Sequence, residues 1–198
     1  MKKLSCLVLT GAILFCSCGN GANEKKGADS SAVISNKEGE AMVNQPDTSA
    51  SMKATVDEKC VNFAVKAANA GMKEVELGKW AQEAVTRKDA KDFGAMMVSD
   101  HTKAAEELKA IAKSKHIALP GDVNKDTRED IDKVKKNTGK DADKAYVNEM
   151  VDDHKDAVDL FEDASKNATD PDLKNFAIKT LPTLIRHRDL IKAIKSKM

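Results

Sequence analysis

The sequence predicts an all-α fold, with four long helices packed as a four-helix bundle. Apolar residues recur at three- and four-residue spacing from about residue 57 to the C-terminus, which is the period of one buried helical face. Helix-breaking residues divide this pattern into four long segments. With 33% charged and 4% aromatic residues, the composition is typical of exposed helices around an aliphatic core. We therefore expect the folded domain to span residues 57–198.

Residues 1–17 have the features of a bacterial export signal. Two lysines near the start precede an apolar stretch that ends at Phe15 and is too short to cross a bilayer. The stretch leads to Cys18, which follows the small residue Ser17 and resembles the cysteine that becomes lipidated in bacterial lipoproteins. We expect a signal peptide over residues 1–17 and lipid on Cys18. Cleavage of a plain secretory signal nearby is the alternative.

The stretch over residues 18–56 is predicted to be a flexible tether, because it is rich in Gly, Asn, Ser, Ala and Lys and has no sustained periodicity. After cleavage the chain keeps 31 of its 33 basic residues against 32 acidic ones, a formal charge of −1. This balance gives no sign of a nucleic-acid partner, and the membrane is the expected partner through the lipid. Gly19 is not the acidic residue that retains some lipoproteins in the inner membrane, which favours the outer membrane of the cell envelope.

The first two long helices are separated by a short polar turn. The first is predicted to begin near Asp57 and to end near Thr86, and the second to begin near Asp89 and to stop before Pro120. The apolar positions on their buried faces are Phe63, Ala67, Ala70, Leu77, Ala81 and Ala84 in the first helix and Phe93, Met97, Ala104, Leu108 and Ile111 in the second. A turn this short makes the two helices neighbours in the bundle.

A long connection separates the second and third long helices. It runs from about residue 117 to residue 140 and contains a short predicted helix over residues 126–136. The connection is long enough to run the length of the bundle. An up-down-down-up order is therefore possible, and a simple antiparallel order remains open.

The third and fourth long helices meet at a short turn. The third is predicted to end near Asn167, and the fourth to start with Asp170 as its N-cap and Pro171 at its first position. Pro182 lies inside the fourth helix and is expected to kink it locally. The buried-face positions are Tyr146, Met150, Ala157, Val158 and Phe161 in the third helix and Phe176, Thr180, Leu184, Ile191 and Ile194 in the fourth.

Each of the four helices directs one ionisable residue towards the core. The run MVSDH at residues 97–101 returns as MVDDH at residues 150–154, so two helices carry a histidine in the same setting. Spacing from apolar neighbours on the same helix face identifies Glu74, His101, His154 and His187. Counted from the turns at about 1.5 Å per residue, the first three lie near one level and His187 lies roughly 6 Å out of register.

Three imidazoles and a carboxylate suit a transition metal such as zinc, copper, iron or manganese, and bundle cores hold such sites. One hypothesis is therefore a metal site on these four residues. Asp100 and Asp153 would orient the imidazoles as hydrogen-bond partners. Met97 and Met150 each lie one turn from a histidine, which permits a softer site that favours copper.

The same four residues also fit a structural polar layer, in which Glu74 accepts hydrogen bonds from histidines and the layer sets helix pairing. A pocket for a small ligand is a third interpretation. A di-iron carboxylate site is disfavoured, because Val98, Val151 and Leu184 stand where its Glu-x-x-His motif needs an acid. Residues 57–198 contain no nucleophile elbow, glycine-rich phosphate loop or cysteine pair, so the sequence favours a binding or structural module over an enzyme.

Taken in order, these motifs resemble one bacterial exported family, known as domain of unknown function 4142. They are the run EVELGK at residues 74–79, Phe93 followed by residues 97–101, Tyr146 followed by residues 150–154, and KTLPTL at residues 179–184 followed by His187. The resemblance covers about residues 57–196 and implies a ferritin-like four-helix bundle in a secreted or envelope-anchored protein. It implies no activity, because none is established for the family.

Overall fold

The computed structural model describes residues 56–198, and over this range the chain is all-helical, with five α-helices and no strand. The helices are α1 Glu58–Ala84, α2 Lys88–Lys115, α3 Lys125–Lys135, α4 Gly139–Asn167 and α5 Pro171–Lys195. The predicted signal peptide, the lipidation of Cys18 and the tether up to residue 55 lie outside the described residues. None of the described helices combines the length and apolarity that a membrane span needs.

Side-chain caps define most of the helix starts. Asp57 accepts a hydrogen bond from the Cys60 N–H at the start of α1, and Asn124 does the same for α3. The predicted start of α5 is confirmed, since Asp170 accepts from two backbone N–H groups and Pro171 is the first helical residue.

Helix α2 ends earlier than predicted, at Lys115 and not directly before Pro120. His116 adopts a left-handed conformation, with φ 58°, and closes the helix. The Ile117 N–H then bonds the Ala112 carbonyl at 2.9 Å, and the Ile117 side chain is buried. A histidine does not predict such an ending, because glycine or asparagine is the usual residue at this position.

Contacts between helix ends give the directions of the long helices. The Thr86 N–H, just after α1, donates to Asp143 at the start of α4 at 2.6 Å, and Asp57 contacts Thr169 at the opposite ends. Helices α1 and α4 therefore run in opposite directions. Lys115 at the end of α2 pairs with Asp170 at the start of α5 at 2.7 Å. The connection containing α3 therefore runs from one end of the bundle to the other.

The core consists of two clusters of buried apolar residues. One includes Phe63, Leu108, Phe161 and Phe176, and the other includes Leu77, Phe93, Met97, Tyr146 and Ile191. On every long helix, the ionisable residue predicted to face the core lies between members of the two clusters in sequence. The four ionisable side chains therefore form a polar layer between two apolar halves.

Helices α1 and α2 approach each other closely at two glycines, Gly78 and Gly94. A Cβ atom added to Gly78 would lie 2.7 Å from the Gly94 carbonyl oxygen, and one added to Gly94 would lie 2.8 Å from the Gly78 carbonyl oxygen. No other residue type fits at this crossing without moving the backbones apart. Glu74 lies one turn from Gly78, so this contact also sets how far Glu74 must reach to the facing helix.

Candidate metal centre

The structure brings together the four ionisable residues that the spacing predicted. The exposed fraction is 2% for Glu74, 7% for His101 and 0% for His154 and His187. The ring centroids of the three histidines lie 5.4–5.8 Å apart. One nitrogen from each ring lies within 4.8 Å of the other two. The fourth histidine, His116, is exposed at the end of α2, away from this group.

The predicted offset of about 6 Å along the helices does not keep His187 out of the group, because its ring centroid lies 5.4 Å from that of His154. The number of residues from the turn gives the level of the backbone and not that of the ring. Side chains on a helix tilt towards its N-terminus. His154 on α4 therefore tilts away from the α4–α5 turn, whereas His187 on α5 tilts back towards it. The two tilts bring the rings closer together than their backbone positions.

His154 and His101 each have one ring nitrogen held by an acceptor from α4 or α1. His154 Nδ1 lies 2.9 Å from the carbonyl oxygen of Met150, one turn earlier on α4. Because a carbonyl only accepts, Nδ1 carries the proton and Nε2 carries a lone pair. His101 Nδ1 lies 3.0 Å from Glu74 Oε2 and donates to it in the same way. The second oxygen of Glu74 lies 3.6 Å from His154 Nε2, too far for a hydrogen bond.

The third histidine is held from a neighbouring helix. His187 Nε2 on α5 donates to Asp100 Oδ2 on α2 at 2.9 Å, and Arg186 reaches the same oxygen at 2.9 Å. Asp100 thus orients a histidine of another helix, because residues adjacent in sequence point about 100° apart around a helix. It does not orient its neighbour His101. In each ring one nitrogen is engaged, and the orientation of all three rings is defined.

The remaining polar atoms of the group have no partner. Among residues 56–198, six buried side-chain nitrogen or oxygen atoms make no hydrogen bond, and four belong to this group. These four atoms are Glu74 Oε1, His101 Nε2, His154 Nε2 and His187 Nδ1. An unpaired buried polar atom costs roughly 1–3 kcal/mol, so four of them in one place are unusual.

Burial and mutual charge set the protonation states. Burial lowers the pKa of His187 to about 4 and also lowers that of His154. Burial opposes the charge on His101 as well, but the adjacent Glu74 carboxylate outweighs it and raises the pKa of His101. For Glu74, burial favours the neutral acid, yet the three imidazoles outweigh it and lower its pKa to about 2. At neutral pH Glu74 is ionised, and His154 and His187 carry free lone pairs.

The other predicted residues take different positions. Met97 and Met150 are fully buried, and Met150 contacts the group through its backbone carbonyl. Asp153 turns to α1, where it pairs with the buried Lys73 at 2.6 Å. Glu149 pairs with the same lysine. Sequence reasoning missed the Met150 carbonyl and the Lys73 pairs, since neither a backbone acceptor nor a buried lysine has a sequence signal here.

The arrangement can bind an ion with modest adjustment. Ring nitrogens bind zinc at about 2.0–2.1 Å. Three nitrogens no more than 4.8 Å apart all lie within about 2.8 Å of a common point, which is 4.8 Å divided by √3. A contraction of less than about 1 Å therefore gives metal-ligand distances. Phe93 packs against His154 and His187, with ring centroids 5.7 and 6.2 Å away, and closes one side of the group.

Comparison with known proteins supports the fold. A family model described as "Domain of unknown function (DUF4142)" matches residues 45–194. A solved structure, "Crystal structure of DUF305 fragment from Deinococcus radiodurans", matches with a TM-score of 0.64 and 9% sequence identity. The match covers 73% of this chain and 100% of that chain. At this identity the similarity shows the fold alone. No curated protein matches the sequence.

Proposed function

The chain belongs to the DUF4142 family, and we propose that its bundle binds a transition-metal ion through His101, His154 and His187. One observation carries the proposal. Each imidazole has one nitrogen engaged by an acceptor and the other buried without a partner, and the three rings converge. Metal-binding histidines show this pattern, because a hydrogen bond at the second nitrogen orients the ring and makes it a better ligand.

The donor set limits the ion. Imidazole nitrogens suit zinc, copper, iron and nickel, whereas magnesium and calcium prefer oxygen ligands. The ionised Glu74 next to His101 offsets part of the ion's charge in the buried site. Three protein ligands leave at least one coordination position open. We favour zinc or copper, held for sequestration or transfer, with no reaction assigned.

We further propose that the domain is a ferritin-like four-helix bundle in up-down-down-up order, carried in the cell envelope on a lipidated Cys18. Opposed directions of α1 and α4, the long connection through α3 and the structural match support the bundle. The N-terminal sequence pattern supports the anchor. Labelled fatty acid should appear on the wild-type protein and disappear in Cys18→Ser. Continued labelling of that variant would rule out the anchor.

Metal titration tests the site. The mature protein should bind about one Co²⁺ or Zn²⁺, and Co²⁺ should give the visible absorption of a low-coordinate nitrogen site. The His101→Ala, His154→Ala double variant should lose this binding while keeping its helical circular dichroism. His116→Asn is the matched control, because it removes the exposed histidine and asparagine tolerates the left-handed backbone there. Equal binding by the double variant and the wild type would refute the assignment.

The second candidate function is a purely structural layer. Two observations favour it: Glu74 joins α1 to α2 through His101, and Asp100 joins α2 to α5 through His187. A structural layer would leave the melting temperature unchanged when a chelator is added to protein purified from its native compartment. A bound ion should raise the melting temperature, because ligands that bind only the folded state stabilise it. The chelator experiment therefore separates the two.

A further inference from the structure

An apolar cavity of about 80 Å³ lies beside the histidine group. It is formed between α1, α2, α4 and α5 and reaches Glu74 and His101. Most of the rest of its lining is apolar and includes Ala67, Ala70, Leu108, Phe161, Phe176 and Leu184. Phe93 closes the opposite side of the group, so this cavity is the side from which a molecule can approach.

Small residues on two facing helices create the cavity. Ala67, Ala70 and Gly71 on α1 face Ala104 and Ala105 on α2, where larger side chains would fill the space. A Cβ atom added to Gly71 meets nothing within 4 Å. Gly71 is partly exposed, as are Leu119 and Pro120 in the loop after α2, and all three line the cavity. The cavity therefore opens to solvent at this edge.

Two residues of the histidine group border the cavity. Glu74 and His101 both line it, they are 2% and 7% exposed, and each has one unpaired polar atom. A cavity with apolar walls and two polar residues in its lining, each with an unpaired polar atom, has the composition of a small-ligand site.

We propose that this cavity admits a small uncharged molecule, of the size and polarity of dioxygen, nitric oxide or carbon monoxide, to the ion on the three histidines. The inference rests on the proposed metal site, because the ion's open position is the ligand's destination. An apolar cavity of about 150 Å³ holds benzene, so about 80 Å³ suits two or three heavy atoms. The apolar walls exclude ions, because a charge loses its hydration there and gains no partner.

The first test uses the metal-free mature protein and xenon, which occupies dry apolar cavities. Xenon should shift the NMR signals of methyl groups lining the cavity, such as those of Leu108 and Leu184. Gly71→Leu on α1 and Ala104→Leu on α2 should each abolish these shifts. Gly71→Ala and the exposed Ala193→Leu are the controls, since they change helix propensity or add a leucine without filling the cavity. Unshifted methyl signals in the wild type would refute the cavity as a ligand site.

The second test uses Cu⁺-loaded protein and carbon monoxide, followed by the infrared band of the bound gas. Both cavity-filling variants should bind copper fully but form the carbon monoxide adduct at least tenfold more slowly than the controls. Unchanged rates with full copper binding would overturn the entry route alone. Failure of the wild type to bind copper, with xenon still bound, would instead overturn the proposed metal site and with it the ligand's destination. Because the two variants lie on different helices, a folding defect in one leaves the test intact.

Discussion

Replacing Gly78 with alanine tests how tightly α1 and α2 are held together. The new Cβ would lie 2.7 Å from the Gly94 carbonyl oxygen and 3.2 Å from the Met97 Cβ. Ordinary contact begins at 3.4 Å, so the two backbones must separate by about 0.7 Å. Overpacking of this kind costs roughly 1–3 kcal/mol, and the gain in helix propensity offsets roughly 0.5–1 kcal/mol of it. The expected net loss of stability is about 1–2 kcal/mol.

Gly71→Ala is the matched control for this prediction. It is the same substitution in the same helix, but the added Cβ meets nothing within 4 Å. It should therefore stabilise the protein by roughly 0.5–1 kcal/mol through helix propensity alone. Because both variants gain the same helix propensity, their free energies of unfolding should differ by the overpacking cost alone, roughly 1–3 kcal/mol.

Urea unfolding monitored by circular dichroism measures this difference. The transition midpoint should fall for Gly78→Ala and rise slightly for Gly71→Ala, with the slope unchanged in both. Separation of the helices should also lengthen the Glu74–His101 hydrogen bond, now 3.0 Å, one turn away. Equal stability of the two variants would show that the crossing has room for a methyl group and would contradict the predicted overpacking.

Three further predictions concern single residues around the bundle. In metal-free protein, His187 should make the free energy of unfolding fall by about 3 kcal/mol as the pH is lowered from 6.5 to 4. Over this range His187 takes up a proton in the unfolded chain, but in the folded chain its pKa is near 4 and it stays neutral. His187→Gln should remove this part of the pH dependence in urea titrations. Asp100→Ala should weaken metal binding roughly 10–100-fold, because His187 loses its hydrogen-bond acceptor. Competition with a chelating dye measures the affinity, and a wild-type value in the variant would contradict the prediction. Asp143→Ala should lower the free energy of unfolding by about 2 kcal/mol, because Asp143 accepts hydrogen bonds from the Thr86 N–H and hydroxyl. Calorimetry of this variant and of the conservative Asp143→Asn measures the loss.

The helical periodicity predicted the parts of the molecule that depend on local spacing. Residues three and four apart share a helix face, so the core-facing positions of Glu74, His101 and His154 followed from the sequence alone. The same reasoning identified Asp170 as the start of α5. These predictions succeeded because each depends on one helix and its own termini.

Features that depend on two elements at once were not predictable in this way. The level of His187 depends on opposite side-chain tilts in α4 and α5, and the end of α2 depends on an unusual backbone conformation at His116. The Gly78–Gly94 contact requires knowing how α1 crosses α2. The Met150 carbonyl is a backbone acceptor, and its role cannot be predicted from the residue type.

The polar layer also affects how the protein unfolds. Buried imidazoles and a carboxylate separate the apolar residues around Phe63 and Phe161 from those around Leu77 and Tyr146. Each half holds its own share of every long helix, so the halves can open as separate cooperative units with different amide exchange rates. An ion bound to side chains from α2, α4 and α5 would join the two halves at their boundary. Loss of the ion would then loosen the whole molecule beyond the site that held it.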